Sequence, residues 1–419
     1  MEKTPKSLRL QIGIFGRTNV GKSSFLNLIS GQDVSIISDL PGTTTDVVEK
    51  TMELLPVGPV VFLDTAGIDD ASSLSTKRID KTKKIFDRAD IILLVIEPGI
   101  LGEYELAVIA EAEKRKTPYL LVINKIDLKD SDNRFLEECC KFTKRIVMVS
   151  SIDHSKKDDV ITLLKKYILE ICPEDFLASP ALISDLVSPG EVAILIVPID
   201  LEAPKGRLIL PQVQTIRDLL DNDSIAVTVK EKEYLQALNS LNRPPKVVVC
   251  DSQVVLKMVA ETPKDINCTT FSILFSRYKG NLIESVKGAL TIDDLNPQDK
   301  VLIAEACSHH PIADDIGRVK LPRWLKQYVG GDLNINIVSG RDYPSDINDY
   351  KLIIHCGGCM LTRRESCFRF NKALDKNIPI TNYGVCISFL HGVLERVLSP
   401  FPYALQVFND FKKERGKHE

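Results

Sequence analysis

The chain has 419 residues, a net charge of −3 and a pI near 6.2. Apolar residues make up 44% and charged residues 26%, ordinary values for a globular protein, which exclude a disordered, collagen-like or disulfide-scaffold chain. Basic and acidic residues are spread evenly, so no segment is a basic domain and nucleic-acid binding is not expected.

At about 150 residues per domain, the length suggests about three domains. The opening MEKTPKSLRLQIGIFG lacks the apolar stretch of a signal peptide. Apolar runs such as Val192–Val197 are too short to span a bilayer, so no membrane association is expected. A cytoplasmic location follows, in which ten cysteines read as thiols or metal ligands rather than disulfides.

Strand-like runs alternate with helical patterns along the whole chain, which predicts an α/β fold with parallel sheets. The first runs are Leu8–Phe15, Val60–Leu63, Ile91–Ile96, Tyr119–Ile123 and Ile146–Val149. Val160, Leu163, Leu164, Tyr167, Ile168 and Ile171 then share one helical face, and Pro173 ends that helix. The second set is Val192–Ile199, Ile225–Val229 and Lys246–Cys250, with helical patterns near 211–221 and 231–241. The third is Val301–Ala306, Leu333–Val338, Lys351–His355 and Ile378–Thr381, closed by helical patterns near 363–376 and 385–398 and a charged, fraying tail. Three domains are expected: 1–173, 174–262 and 263–419.

Gly16-Arg-Thr-Asn-Val-Gly21-Lys22-Ser23 follows the first strand and precedes a helix, the context of a phosphate-binding loop. Its glycines let backbone N–H groups approach phosphate oxygens. Lys22 neutralises the β/γ-phosphates, and the Ser23 hydroxyl holds Mg²⁺. The predicted loop contacts are Gly16, Asn19, Val20, Gly21, Lys22, Ser23 and Ser24. Three further motifs follow strands in order. Asp64-Thr-Ala-Gly67 offers a carboxylate to Mg²⁺ through water and a Gly67 N–H to the γ-phosphate. In Asn124-Lys125-Ile-Asp127, Asp127 accepts from guanine N1–H and N2–H₂, which adenine does not offer. Ser150-Ser151 closes the last strand. Within Pro41-Gly-Thr-Thr-Thr-Asp46, Thr44 is the chosen switch threonine for Mg²⁺ and γ-phosphate, with Thr43 and Thr45 as alternatives. The catalytic set is therefore Lys22, Thr44, Asp64 and Gly67, and the ligand is GTP.

The strings GRTNVGKS, PGTTTD, DTAG and NKID resemble the Era-like GTPases, in the subgroup of tRNA-modification and ribosome-assembly GTPases. The resemblance covers about the first 172 residues and implies a doubly wound P-loop GTPase sheet. Ile68 follows Gly67, so the water-orienting glutamine of Ras-like proteins is missing. Asn19 matches the asparagine that helps hold K⁺ in potassium-activated members, where the cation does the electrostatic work of an arginine finger. Slow, K⁺-stimulated GTP hydrolysis is expected.

The third segment carries a candidate metal constellation. Cys307-Ser-His309 follows Val301–Ala306; after 45 residues comes His355-Cys356-Gly-Gly-Cys359, at the end of Lys351–His355. Both clusters thus end strands of one sheet, and the two glycines let both thiols converge. His355 and Cys356 are adjacent, and regular strand geometry points them apart. Three thiolates suit either a closed tetrahedral zinc site or an iron–sulfur cluster with one exchangeable corner. Arg363 and Arg364, at the start of a helical pattern, can offset the negative charge.

C-x-H, a long gap and H-C-x-x-C downstream of an Era-like domain resemble the HydF family, the FeFe-hydrogenase maturation GTPases. The resemblance covers nearly the whole chain. It implies a GTPase domain, a middle dimerisation domain giving a homodimer, and a C-terminal domain that binds a 4Fe-4S cluster. It also implies a carrier that receives a di-iron precursor made with two radical-SAM maturases and delivers it to apo FeFe-hydrogenase. The ligands carried over are Cys307, Cys356 and Cys359; His309 and His355 match the motif, and their role stays open. The alternative is an Era-like GTPase acting in RNA modification or ribosome assembly, with a structural zinc site.

Overall fold

A computed structural model describes residues 8–30, 48–64, 85–129, 132–173, 176, 180–198, 208–306, 315–340, 343–344 and 346–415. The chain divides into two compact units, Met1–Ser179 and Pro180–Glu419. Among the described residues no helix is long and apolar enough to cross a membrane.

The first unit is built on six strands: β1 (Leu10–Phe15), β2 (Val48–Leu54), β3 (Gly58–Asp64), β4 (Ile91–Ile96), β5 (Tyr119–Ile123) and β6 (Ile146–Met148). Their order is β2-β3-β1-β4-β5-β6. All neighbours are parallel except β2, which runs antiparallel to β3. Strands β1 and β4 are buried along their whole length, because helices cover both faces of the parallel sheet. One face packs on the helices Lys22–Ser30 and Lys157–Ile171; the other packs on Glu103–Lys114 and Asn133–Cys140. The edge strand β2 (VEKTMEL) escapes the sequence reading because it is largely polar.

The second unit holds two four-stranded parallel sheets. One contains β7 (Val192–Ile196), β8 (Ile225–Val229), β9 (Val247–Cys250) and β10 (Asn267–Thr270), in the order β10-β9-β7-β8. The other contains β11 (Lys300–Ala304), β12 (Asn334–Val338), β13 (Leu352–His355) and β14 (Ile380–Asn382), in the order β12-β11-β13-β14. The fold is thus α/β throughout, a doubly wound sheet followed by two smaller α/β sheet domains. The expected boundary at 262 falls before β10, which pairs with β9 and carries the second sheet onward. The short polar run NCTT had no apolar pattern to mark it.

The two smaller sheets share one apolar core. Ile194, Val248 and Leu195 of the first belong to the same cluster as Val301, Ile303 and Ile354 of the second. Helices Phe271–Tyr278 and Leu282–Leu290 lie between them in sequence and contribute Phe275, Leu274 and Val286 to that cluster. A side chain at Gly288 would collide with the Ile380 carbonyl, so the second helix lies directly on β14. Thr381 Oγ1 donates to Ser285 O at 2.7 Å across the same contact.

The closing helix pattern also differs from expectation. In place of one helix over 385–398 there are two, Tyr383–Leu390 and Leu394–Val397, interrupted at Gly392 with φ 71°. A further helix, Pro402–Arg415, precedes and enters the charged tail, and its Ala404 and Phe408 are buried in the shared core; residues 416–419 of the tail lie outside the described residues.

Candidate functional site

The first candidate site lies at the carboxyl edge of the six-stranded sheet. Gly16 follows β1, Asp64 is the last residue of β3, Asn124 follows β5 and Ser150 lies just beyond β6. These strands are mutually parallel, so the four motifs emerge at one edge, where open α/β sheets form crevices.

The loop is built tightly. Asn19 adopts φ 64°, a left-handed conformation that asparagine tolerates better than most residues. Gly21 has φ 91°, and any side chain there would collide with Asn124 Nδ2. That close approach lets Asn124 Nδ2 donate to Val20 O at 2.8 Å. The other end of the Asn124 amide accepts from Ser151 N and Oγ, at 3.1 and 2.7 Å. Lys22 is buried, and its ammonium donates to Gly16 O at 2.7 Å and Arg17 O at 3.0 Å. Ser23 and Ser24 are exposed at the start of the Lys22–Ser30 helix, whose first N–H groups suit an anion. Asp64 is 4% exposed. Asp127 is exposed in the turn after β5, and Lys125 Nζ pairs with Glu97 at 2.6 Å. Ser150 Oγ is buried with no partner among the described residues.

Sequence reasoning missed one anchor of this loop. Arg17 Nε and Nη2 donate to Glu105 Oε1 and Oε2 at 2.7 and 2.8 Å. Glu105 also accepts from Gly102 N at 2.9 Å. Burial raises the Glu105 pKa, but the Arg17 and Gly102 bonds outweigh it and leave the carboxyl below its ordinary value. The sequence offered no signal for this pair, which lies 88 residues apart.

The second candidate site lies where β11 and β13 end side by side, with Ala304 opposite His355. Cys356 N donates to Ala304 O at 2.9 Å, and Cys356 Sγ accepts from Ala306 N at 3.0 Å and Gly358 N at 3.4 Å. Ala306 immediately precedes Cys307. Desolvation, with Cys359 next, pushes the Cys356 thiol up to about 11, and burial also raises Cys359. Any metal bound here would have to displace those protons.

His355 is 1% exposed and engaged at both nitrogens. Nδ1 is 2.7 Å from Cys356 O, and Nε2 is 3.4 Å from Arg369 Nη1. A carbonyl cannot donate and arginine cannot accept, so the proton sits on Nδ1. Burial first, then Arg369, pushes the imidazole down to about 3 and keeps it neutral. Metal binding through this ring would cost one of these two bonds.

Two buried cations flank the cysteine loop. Arg369 is 3% exposed and also reaches Gly340 O at 3.2 Å and Glu365 at 3.6 Å. Lys279 is 4% exposed; its ammonium donates to Leu361 O at 2.8 Å and to Gly358 O. Burial pushes Lys279 down to about 8, opposed by Cys359 and Cys356. The sequence pointed instead to Arg363 and Arg364; the charge of Arg363 acts on Cys367, whose Sγ donates to Lys279 O at 3.1 Å. Lys279 lies 77 residues from Cys356 in the chain, so no local pattern could reveal it.

Thr44, with Thr43 and Thr45, and Gly67, Ile68, Cys307 and His309 lie outside the described residues. Among the described residues no group of three or more His, Cys, Asp or Glu side chains converges as a metal site. The donors present nonetheless suit a thiolate-ligated group: Cys356 and Cys359 on one turn, two N–H bonds to Cys356 Sγ, and cations beside them.

Residues 11–125 match a family described as 50S ribosome-binding GTPase. Residues 182–280 match the hydrogen maturase F dimerization domain, and residues 283–400 match the hydrogen maturase F tetramerization domain. The chain belongs to the HydF family. Its GTPase domain implies binding of GTP and Mg²⁺, and its two HydF domains support oligomerisation.

Curated relatives named as the tRNA modification GTPase MnmE match the GTPase part of this HydF chain. It is 35% identical over 163 residues to the tRNA modification GTPase MnmE of Mycoplasma mycoides, covering 38% of this chain and 35% of that protein. With MnmE of Synechococcus sp. strain JA-3-3Ab it shares 43% identity over 126 residues, 29% of this chain and 27% of that protein. The chain thus spans about a third of the length of these relatives. The G domain of the T. maritima FeoB iron transporter aligns with 22% identity and a TM-score of 0.30, covering 39% of this chain and 98% of that one.

Proposed function

We propose that this chain is a GTP-hydrolysing scaffold that binds a 4Fe-4S cluster and delivers a di-iron precursor to apo FeFe-hydrogenase. It would act with two radical-SAM maturases, as a homodimer, in the cytoplasm. The observation that carries this reading is the presence of two HydF-specific domains in one chain with Cys356 and Cys359 at the end of β13. The N–H bond from Ala306, the residue before Cys307, to Cys356 Sγ supports it further.

In this reading Cys307, Cys356 and Cys359 hold the cluster. When bound, a three-thiolate cluster supplies one iron whose remaining ligand can exchange. The chain's own groups prepare the site. Ala306 and Gly358 donate to sulfur, and Arg369 and Lys279 offset negative charge. His355 braces the loop through the Cys356 carbonyl, and His309 stands two residues from Cys307.

The GTP site would work through Lys22 on the β/γ-phosphates, Ser23 and Thr44 on Mg²⁺, Asp64 on Mg²⁺ through water, and Gly67 on the γ-phosphate. Asp127, framed by Asn124, Lys125, Ser150 and Ser151, would select guanine. With no glutamine at Ile68, hydrolysis would be slow, and Asn19 would hold K⁺ beside the phosphates.

The test is anaerobic purification, with iron, sulfide and visible spectra, for the native chain and for Cys307→Ala, Cys356→Ala and Cys359→Ala. Iron and sulfide with a broad absorption bleached by dithionite, lost in the variants, supports the reading; activation of apo-hydrogenase then tests delivery. Zinc alone, colourless and stable in air, returns the chain to RNA-directed GTPases with a structural metal, as the MnmE likeness of its first unit would allow. A stoichiometric RNA complex at physiological salt would point the same way.

A further inference from the structure

The cysteine loop is held from outside its own sheet. Lys279 follows the helix Phe271–Tyr278, which β10 leads into, and so belongs to the part of the chain built on the β7–β10 sheet. Its ammonium crosses to the loop after β13 and donates to the carbonyls of Gly358 and Leu361, one on each side of Cys359. Two neighbours lock the crossing. Cys367 Sγ donates to Lys279 O at 3.1 Å, and Asn281 Nδ2 donates to Ser366 Oγ at 3.2 Å. Gly358 takes φ 60°, so its carbonyl direction depends on what grips it.

The charge is the second observation. Lys279 is 4% exposed, and its hydrogen bonds go to neutral carbonyls. Among the described residues the carboxylate that acts on it is Glu365, which is engaged by Arg369 at 3.6 Å. A buried ammonium with no anion bonded to it is costly, and such groups are normally paired. The groups it faces are Cys359, Cys356, Glu365 and Cys367. An anionic group on the two loop sulfurs would supply the missing counter-charge.

We propose that Lys279 is a positioning residue for the metal group on Cys356 and Cys359: it clamps the loop so that both sulfurs converge, and it balances their negative charge. The inference rests on reading these cysteines as cluster ligands. It also makes the β7–β10 part of the chain a structural component of the cluster site, so that a movement of the Phe271–Tyr278 helix is transmitted to the cysteine loop through one side chain.

The full chain, Lys279→Gln and Lys279→Met would be reconstituted anaerobically with iron and sulfide and compared by iron release to a chelator and by reduction potential. Glutamine keeps an N–H donor and loses the charge; methionine loses both. Both potentials should become more negative, because the cation favours the reduced, more anionic form. Iron retention should weaken by about 10–100-fold in the methionine variant, as for other groups that orient metal ligands, and less in the glutamine variant. Native-like potential and retention in a folded Lys279→Gln chain would overturn the proposal, even if Lys279→Met fails to fold. Failure of the native chain to take up iron would instead overturn the cluster reading.

Discussion

Asn124 holds Val20: its Nδ2 donates to the Val20 carbonyl at 2.8 Å, joining the end of β5 to the phosphate-binding loop. Because Oδ1 of the same amide accepts from Ser151, one side chain ties three of the four motifs together. Asn124→Ala leaves the buried Val20 carbonyl without this partner, a loss of about 1–3 kcal/mol. A lower melting temperature for the GTPase unit and weaker GTP binding are expected, measurable by calorimetry and fluorescent-nucleotide titration. Unchanged melting and affinity would show that the link is idle.

Asp127 is exposed beyond β5, free to meet a base edge. Asp127→Asn replaces an acceptor by a donor opposite guanine N1–H and N2–H₂. Losing two charge-assisted bonds should weaken GTP binding by about 3 kcal/mol or more, and xanthosine triphosphate, which presents an acceptor at C2, should bind better than GTP. Competition between the two nucleotides checks the reversal.

The position of Asn19 at the exposed crest of the loop, with φ 64°, leads to an ionic prediction. GTP hydrolysis in potassium chloride should exceed that in sodium chloride at equal ionic strength, and Asn19→Ala should abolish the difference. Equal rates in both salts for the native chain would remove the cation from the reading.

The Arg17–Glu105 pair sets a pH dependence. Glu105 titrates below its ordinary value in the folded chain, so the unfolded chain binds more protons in that interval. The pair's stabilisation is therefore present above the unfolded carboxyl value and fades as pH falls through the folded one. Arg17 is 47% exposed at its side chain, which screens the pair and keeps the effect small. Glu105→Gln should flatten the acid limb of the GTPase unit's melting profile; an unchanged limb would mean that other carboxyls dominate it.

His355 separates bracing from ligation. Its two ring nitrogens meet Cys356 O and Arg369, so His355→Ala should destabilise the second unit by about 2 kcal/mol or more while leaving the iron-to-protein ratio intact. A drop in that ratio in a folded variant would make the ring a ligand.

The amino-acid sequence by itself determined the strand edges that carry function. β1, β3, β5 and β13 hold apolar runs that are almost wholly buried, and such runs need no distant partner to be recognised. The motifs lie directly after them, so a single rule of α/β sheets was enough to gather them. β2 and β10 stayed hidden because VEKTMEL and NCTT are strands only through the neighbour that pairs with them.

Only the tertiary structure decided what surrounds the motifs. Lys279, Arg369 and Glu105 look like any other charged residue in the chain. Their burial and their partners come from packing between helices and strands distant in sequence. Periodicity and motif spacing describe short-range order, whereas a buried charge is defined by the groups that a folded chain brings to it.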